Sequence, residues 1–262
     1  MKRKDLPNRA WADSPILADI PLGDVDPALK RARATRLTQI KASQAKNQET
    51  STIEADWVTT ATRDTFTWVT QHTRTFDEHW KKEGRPRPDE HFPPYEYFRD
   101  LFAFFDLRDI IWIEKSRDLM ISWACVAYLT LQAMKTPYCG ILFQTQKDKK
   151  VIQLVDYAKH LYRNSDERIQ QAYPLAKPLN RQADHELNFA NGSYILGIPG
   201  GADQIRSYHP WGYLNDESSF QADSGGCYNE AISAVAGKII FNSSAGPGWY
   251  ADARRDVIRN EE

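Results

Sequence analysis

From Pro93 onward, short apolar runs alternate with amphipathic stretches. Ile110-Ile111-Trp112-Ile113, Gly140-Ile141-Leu142-Phe143-Gln144, Trp211 to Asn215 and Lys238 to Asn242 are brief continuous runs bounded by polar residues, as expected of strands buried on both faces. Between them, Ile121 to Lys135 places Trp123, Ala127 and Leu131 at helical steps. Asp148 to Arg163 predicts a second helix, and a third is expected from about Tyr228 to Ala236. Glu186 to Ala190 and Ser193 to Ile198 flank Asn191-Gly192, a hairpin signal because both residues accept the left-handed backbone of a tight turn. Alternation of this kind predicts an α/β fold, with a mostly parallel sheet flanked by helices on both faces.

Upstream the texture differs. Pro7, Pro15, Pro21 and Pro27 punctuate a lead into a basic helix candidate from Pro27 to about Gln48, with few large apolar residues. Such a helix cannot hold a core alone and suits a solvated arm, a partner-docking helix or a DNA-binding arm. A second helical pattern carries Trp57, Ala61, Phe66, Val69 and Phe76 and is expected to end near Gly84, before a linker at Arg85-Pro86-Arg87-Pro88. The expected division is a helical extension over 1–84 and a catalytic domain over 85–262. Residues 1–50 hold ten Lys/Arg against six Asp/Glu, whereas the whole 262-residue chain has a formal net charge of −1. That balance excludes a generally basic nucleic-acid coat, so any DNA contact must be localised. Cys125, Cys139 and Cys227 are far apart and lack metal-ligand spacing, which predicts reduced core thiols. Neither a signal peptide nor a membrane span is expected: Ser122 breaks the longest greasy stretch, Met120 to Ala127.

Parallel sheets bind ligands at the carboxyl ends of their strands, which directs attention to the turn after Ile113. There Glu114-Lys115-Ser116-Arg117-Asp118-Leu119-Met120-Ile121-Ser122-Trp123 opens straight into a helix. A phosphate loop needs a strand, a compact turn, a cation and a hydroxyl at the helix start. Against G-x-x-x-x-G-K-[ST], Ser122 takes the hydroxyl position, while Ile121 replaces the lysine, Met120 the second glycine and Lys115 the first. The lysine can have moved to Lys115, with Arg117 as a second cation; a polar turn facing water is the plainer alternative.

Trp211-Gly212-Tyr213-Leu214-Asn215-Asp216-Glu217 is a strand ending in two carboxylates. Asp216 is suited to Mg²⁺, and Glu217 to orienting and deprotonating an attacking water. The following strand ends in Ser243-Ser244-Ala245-Gly246, a small hydroxyl-rich patch able to sense a γ-phosphate. Arg206 lies eleven residues before Glu217 on a Gly-led loop, where it can reach a neighbouring subunit's nucleotide or simply pair with Asp203. Gln144 and Gln146 close the second strand and suit a capping role as well as a contact with DNA or phosphate.

In combination these motifs resemble the ATPase domain of large terminase subunits, the DNA-packaging motors of tailed bacteriophages and their prophages. Lys115 to Trp123 follows that family's K-[SA]-R-Q-x-x-x-[ST]-W loop except at Asp118, where Gln is usual. Ile205-Arg206-Ser207 matches an I-R-G element with Ser207 for Gly, and Leu214-Asn215-Asp216-Glu217 and Ser243-Ser244-Ala245 follow in order. Phe92-Pro93-Pro94-Tyr95-Glu96-Tyr97 resembles the aromatic segment near the adenine, although Tyr95 and Tyr97 could equally pack against Phe102, Phe104 and Phe105.

Across roughly Pro93 to Arg255, the resemblance implies a P-loop NTPase of the additional-strand, catalytic-glutamate (RecA-like) type. ATP phosphates would lie on Lys115, Ser116, Arg117, Asp118, Leu119, Met120, Ile121 and Ser122, and Mg²⁺ on Ser122 and Asp216. Glu217 would be the base, Arg206 a finger in trans, and Ser243, Ser244 and Ala245 the coupling element. The implied partners are double-stranded DNA, the capsid portal and the small terminase subunit, in a homo-oligomeric ring in the host cytoplasm. A monomer in isolation is compatible with this. The family usually continues into a ribonuclease-H-like nuclease, for which 262 residues leave no room, so no nuclease activity is expected. The competing readings are a helicase-like or other P-loop ATPase, and a catalytically silent assembly module that binds portal or small subunit.

Overall fold

The computed structural model describes residues 52–77, 80, 81, 84, 86 and 88–261, with side chains to 256. The basic helix expected over Pro27 to Gln48 lies outside the described residues. Residues 54–262 form one compact unit.

The first described helix, α1 (52–61), does not run on to Gly84 as the periodicity suggests. Asp64 interrupts the pattern: its side chain accepts from Thr67 N and caps a new turn, α2 (Thr65–Thr67), which passes into a π-helical turn at Trp68–His72. Strands β1 (Thr75–Phe76) and β2 (Asp89–Glu90) then pair antiparallel. Trp68 and Val69 are fully buried, and Trp68 Nε1 donates to Ser165 Oγ at 3.1 Å. The packed body therefore extends upstream of the boundary drawn at 85.

The main sheet comprises β3 (Ile110–Lys115), β4 (Gly140–Gln144), β5 (Glu186–Asn188), β6 (Tyr194–Ile198), β7 (Gly212–Asp216) and β8 (Lys238–Ser244), in the order β3-β8-β7-β4-β6-β5. All neighbours run parallel except the β5–β6 hairpin, in which Leu187 pairs with Ile195. The expected α/β class is what the chain adopts. Strand β8 lies between β3 and β7, so a strand late in the sequence separates the strand of the phosphate-type loop from the strand ending in Asp216-Glu217.

Helices cover both faces. They are α3 (Glu96–Leu107), α4 (Ile121–Lys135), α5 (Asp148–Arg163), α6 (Glu167–Ala172), α7 (Ser224–Ala234) and α8 (Trp249–Glu261). Alternate residues of a strand point to opposite faces. Ile141, Phe143, Leu214 and Ile240 join the core beneath α3, α4 and α5, while Leu142, Tyr213 and Phe241 join the core beneath α7. Helix α4 is buried at twelve of its fifteen residues, so its first turn is rigidly placed above the sheet. Tyr250 of α8 donates to Ile113 O at 2.8 Å, pinning α8 to the end of β3, where Arg254 also pairs with Glu114. All three cysteines are free and buried. Burial pushes the Cys139 thiol up to about 12 and the Cys227 thiol up to about 11. Among the described residues no helix is long and apolar enough to cross a membrane.

Candidate functional site

Sheet register determines what meets at the carboxyl ends of β3, β8 and β7. Asp216 pairs with Asn242 across β7 and β8, and Lys115 pairs with Ser244 across β3 and β8. Above them begins α4, whose Ser122 faces down. Lys115 Nζ donates to Ser122 Oγ at 3.2 Å, and Ser122 Oγ donates to Asp216 Oδ2 at 3.0 Å and Oδ1 at 3.1 Å. Asn242 Nδ2 donates to Asp216 Oδ1 at 2.6 Å and to Ser122 Oγ at 3.3 Å. Three of these four side chains stand out in the sequence. Asn242 does not, and its signal is weak: a polar residue closing an apolar strand, directly opposite an acid once the register is known.

Asp216 is buried, and burial raises its carboxyl above the usual value of 3.8 despite the opposing pull of Lys115 and the hydroxyl of Ser122. Neighbouring Glu217 pushes in the same direction as burial. The neutral acid is thus favoured more than for a solvated carboxylate, a cost that a bound cation would offset.

The loop resolves the mismatches with the standard pattern. Ile121, at the usual lysine position, is buried in the α4 core, so no cation can project from that point. Met120, at the second glycine position, has φ +55° and ψ +20°, the left-handed conformation for which glycine is ordinarily used. Asp118 also sits at φ +64°. The backbone thus follows a glycine-type path without glycine. The first N–H groups of α4 have no intrahelical partner and add the positive end of the helix dipole. Ser116, Arg117, Asp118 and Leu119 are exposed.

A cleft of about 960 Å³ adjoins the loop and is lined by Tyr95, Tyr97, Asp118, Met120, Trp123 and Lys150, among others. Tyr95 is 56% and Tyr97 38% exposed, and their rings stack at 5.6 Å. Only Tyr97 also packs closely, against Phe98 at 4.3 Å, and its hydroxyl donates to Leu119 O at 3.3 Å. Both tyrosines therefore offer surface to a flat ring in the cleft.

Glu217 stands at φ +58°, just past β7, and is half-buried. Its turn is anchored from behind. Ser219 N donates to Ser243 Oγ at 3.0 Å, and Ser218 Oγ donates to Asn215 Oδ1 at 2.7 Å. Ser243 is fully buried, Ser244 is half-buried and Ala245 is exposed, so within that trio Ser243 makes the contact to the acid turn. Arg206 is not drawn into this cluster. It is exposed and pairs with Asp203 at 3.1 Å and Glu230 at 2.7 Å.

No family model and no curated protein matches the sequence. The structure, however, is similar to the crystal structure of the HK97 bacteriophage large terminase, with a TM-score of 0.57 at 10% identity. The similarity covers 77% of this chain and 42% of that one. The fold is that of a large terminase ATPase domain. Weaker likenesses are to the large terminase ATPase domain of Thermus phage P74-26 (TM-score 0.40, 11% identity, 68% of this chain and 73% of that one) and to the large terminase of a thermophilic bacteriophage in complex with ADP (0.36, 16%, 52% and 33%). This chain spans less than half the length of the HK97 terminase.

Within the terminase ATPase fold, the donor set at Asp216 suits a hard cation. It comprises the Asp216 carboxylate and the Ser122 hydroxyl, held together by Asn242 Nδ2, which donates to both. Among the described residues no group of three or more His, Cys, Asp or Glu is placed to hold a metal ion.

Proposed function

We propose that this chain is an ATP-hydrolysing motor domain of a large terminase, moving double-stranded DNA into a procapsid as part of a ring on the portal, with the small terminase subunit as partner. The observation that carries this reading is the Lys115, Ser122, Asp216 and Asn242 cluster, set at the carboxyl ends of adjacent parallel strands beneath the first turn of a buried helix. The same reading places the work in the cytoplasm of the bacterial host.

In this account Tyr95 and Tyr97 hold the base, while Lys115 and the first N–H groups of α4 bind phosphate oxygens. Ser122 and Asp216 would hold Mg²⁺, which when bound neutralises phosphate charge and polarises the terminal phosphoryl group. Glu217 accepts a proton from the attacking water at a carboxylate oxygen, and its left-handed backbone turns it off the line of β7. Asn242 fixes the Asp216 carboxylate through the 2.6 Å bond. Ser243 holds the turn that carries Glu217, so a change at the phosphates can be passed to β8. Arg206 reaches a neighbour's nucleotide once it leaves Asp203 and Glu230.

Steady-state hydrolysis and equilibrium ATP binding test the reading. The wild-type chain is expected to bind ATP with Mg²⁺ and to hydrolyse it faster with duplex DNA. Lys115→Ala should weaken nucleotide binding more than Ile121→Ala, with melting temperatures recorded because Ile121 is a core residue. A chain that binds no nucleotide would instead be a silent assembly module, and the opposite ranking would remove Lys115 from the phosphates.

A further inference from the structure

On the sheet face away from α4 lies a set of buried polar groups that the chemistry above does not use. Gln144, the last residue of β4, is fully buried, and both ends of its amide are committed. Its Nε2 donates to Pro199 O at 2.6 Å and Gly201 O at 3.0 Å, while its Oε1 accepts from the Tyr213 hydroxyl at 2.5 Å. Asn215, the β7 neighbour of Gln144 in the sheet, donates through Nδ2 to the Tyr213 oxygen at 2.7 Å. Its Oδ1 accepts from Gln221 Nε2 at 2.6 Å and from Ser218 Oγ at 2.7 Å, and Gln221 Nε2 also reaches the Asp216 carbonyl at 2.9 Å.

An unbroken line of hydrogen bonds thus runs from the carbonyls of 199 and 201 to the turn that follows Glu217. At its far end the 199–201 segment leads into Arg206. Gly201 has φ +112° and ψ +146°, a backbone region open in practice only to glycine, so this loop is shaped to bring its carbonyls to Gln144. A tie of this kind is costly to break, because each buried amide left unpartnered bears a desolvation penalty. Simple filling of the core would have needed only apolar residues, such as the neighbouring Leu142 and Phe241.

We propose that Gln144 is a positioning residue which, through Tyr213 and Asn215, sets the Arg206 loop relative to the Glu217 turn, so that displacement of one is felt at the other. The proposal rests on the ATPase reading of Glu217 and Arg206. It adds a path along which engagement of Arg206 by a neighbouring subunit is reported to the hydrolytic glutamate of the same chain.

Two variants test it. Tyr213→Phe removes only the hydroxyl in the middle of the line and keeps the ring that packs edge-on against Phe241. Gln144→Met removes both amide ends at nearly constant volume. In hydrogen exchange, both variants should speed amides of 199–206 and of 217–221 together by about tenfold, the effect of one buried hydrogen bond, with β4 and β7 still protected. Faster exchange in one segment alone, or in neither, overturns the linkage whether or not the chain is an ATPase.

In kinetics, Tyr213→Phe should lower kcat about tenfold with the KM for ATP unchanged, and should have no further effect in an Arg206→Ala background. Equal loss in both backgrounds overturns the proposal. Absence of hydrolysis by the wild-type chain overturns the ATPase reading and this catalytic role with it. Hydrolysis indifferent to both variants overturns the role alone.

Discussion

Asp118 places a negative charge in a loop otherwise arranged for phosphate. Its left-handed backbone is tolerated by Asn as well as Asp, so Asp118→Asn removes the charge without disturbing the turn. Nucleotide affinity should rise by about three- to tenfold at low salt, and the gain should shrink as salt is raised. Calorimetric titration at two ionic strengths checks this; unchanged affinity would mean that Asp118 points away from the phosphates.

Asp216 gives a second prediction, with a sign fixed by its raised carboxyl. The folded chain holds that proton more tightly than the unfolded one. The associated stability is therefore present below the unfolded value and is lost as pH climbs through the folded value. Relative to wild type, Asp216→Asn should melt progressively higher as pH goes from about 4 to about 7. Mg²⁺ with nucleotide should narrow that gap by stabilising the wild-type chain more than the variant. A difference in melting temperature that does not vary with pH would contradict the burial argument.

Among elements, α4, α5 and β4 are delimited by sequence at the ends the structure shows, because continuous apolar runs and helical steps coincide there with polar stops. The hairpin at Asn191-Gly192 is legible too, with Gly192 at φ +84°, although its strands, Glu186–Asn188 and Tyr194–Ile198, are shorter than expected. Helix α7 begins at Ser224, four residues before the expected Tyr228, since Gly225-Gly226 obscures its first turn. Helix α3 escapes sequence reading although Phe98, Phe102 and Phe105 recur at helical steps; the two prolines and the density of aromatics before it suggest an extended segment.

The break at Asp64 is a side-chain cap, invisible to a count of apolar residues. Asp64→Ala should cost about 1 kcal/mol of stability without altering nucleotide affinity, which thermal unfolding and titration together would show. In the site, the motif positions are legible, but Asn242 and Gln144 acquire roles only through strand register, which no local pattern encodes.

For the molecule as a whole, the proposed phosphate and metal site and the proposed arginine finger lie apart. The Lys115, Ser122 and Asp216 cluster is internal to one chain, whereas Arg206 stands at the surface, held by exposed Asp203 and half-buried Glu230. Exposed ion pairs are weak and screened by salt, so releasing Arg206 to a neighbouring subunit costs little. Specific activity should therefore rise with protein concentration, and Arg206→Ala should abolish that rise while leaving nucleotide binding intact. Strictly first-order behaviour in the wild type would confine Arg206 to its own chain.

The most direct measurement compares wild type and Glu217→Gln for ATP binding and for DNA-stimulated hydrolysis. Loss of the carboxylate should leave binding within about twofold and reduce turnover by about a hundredfold or more. Unchanged turnover in Glu217→Gln would contradict the account.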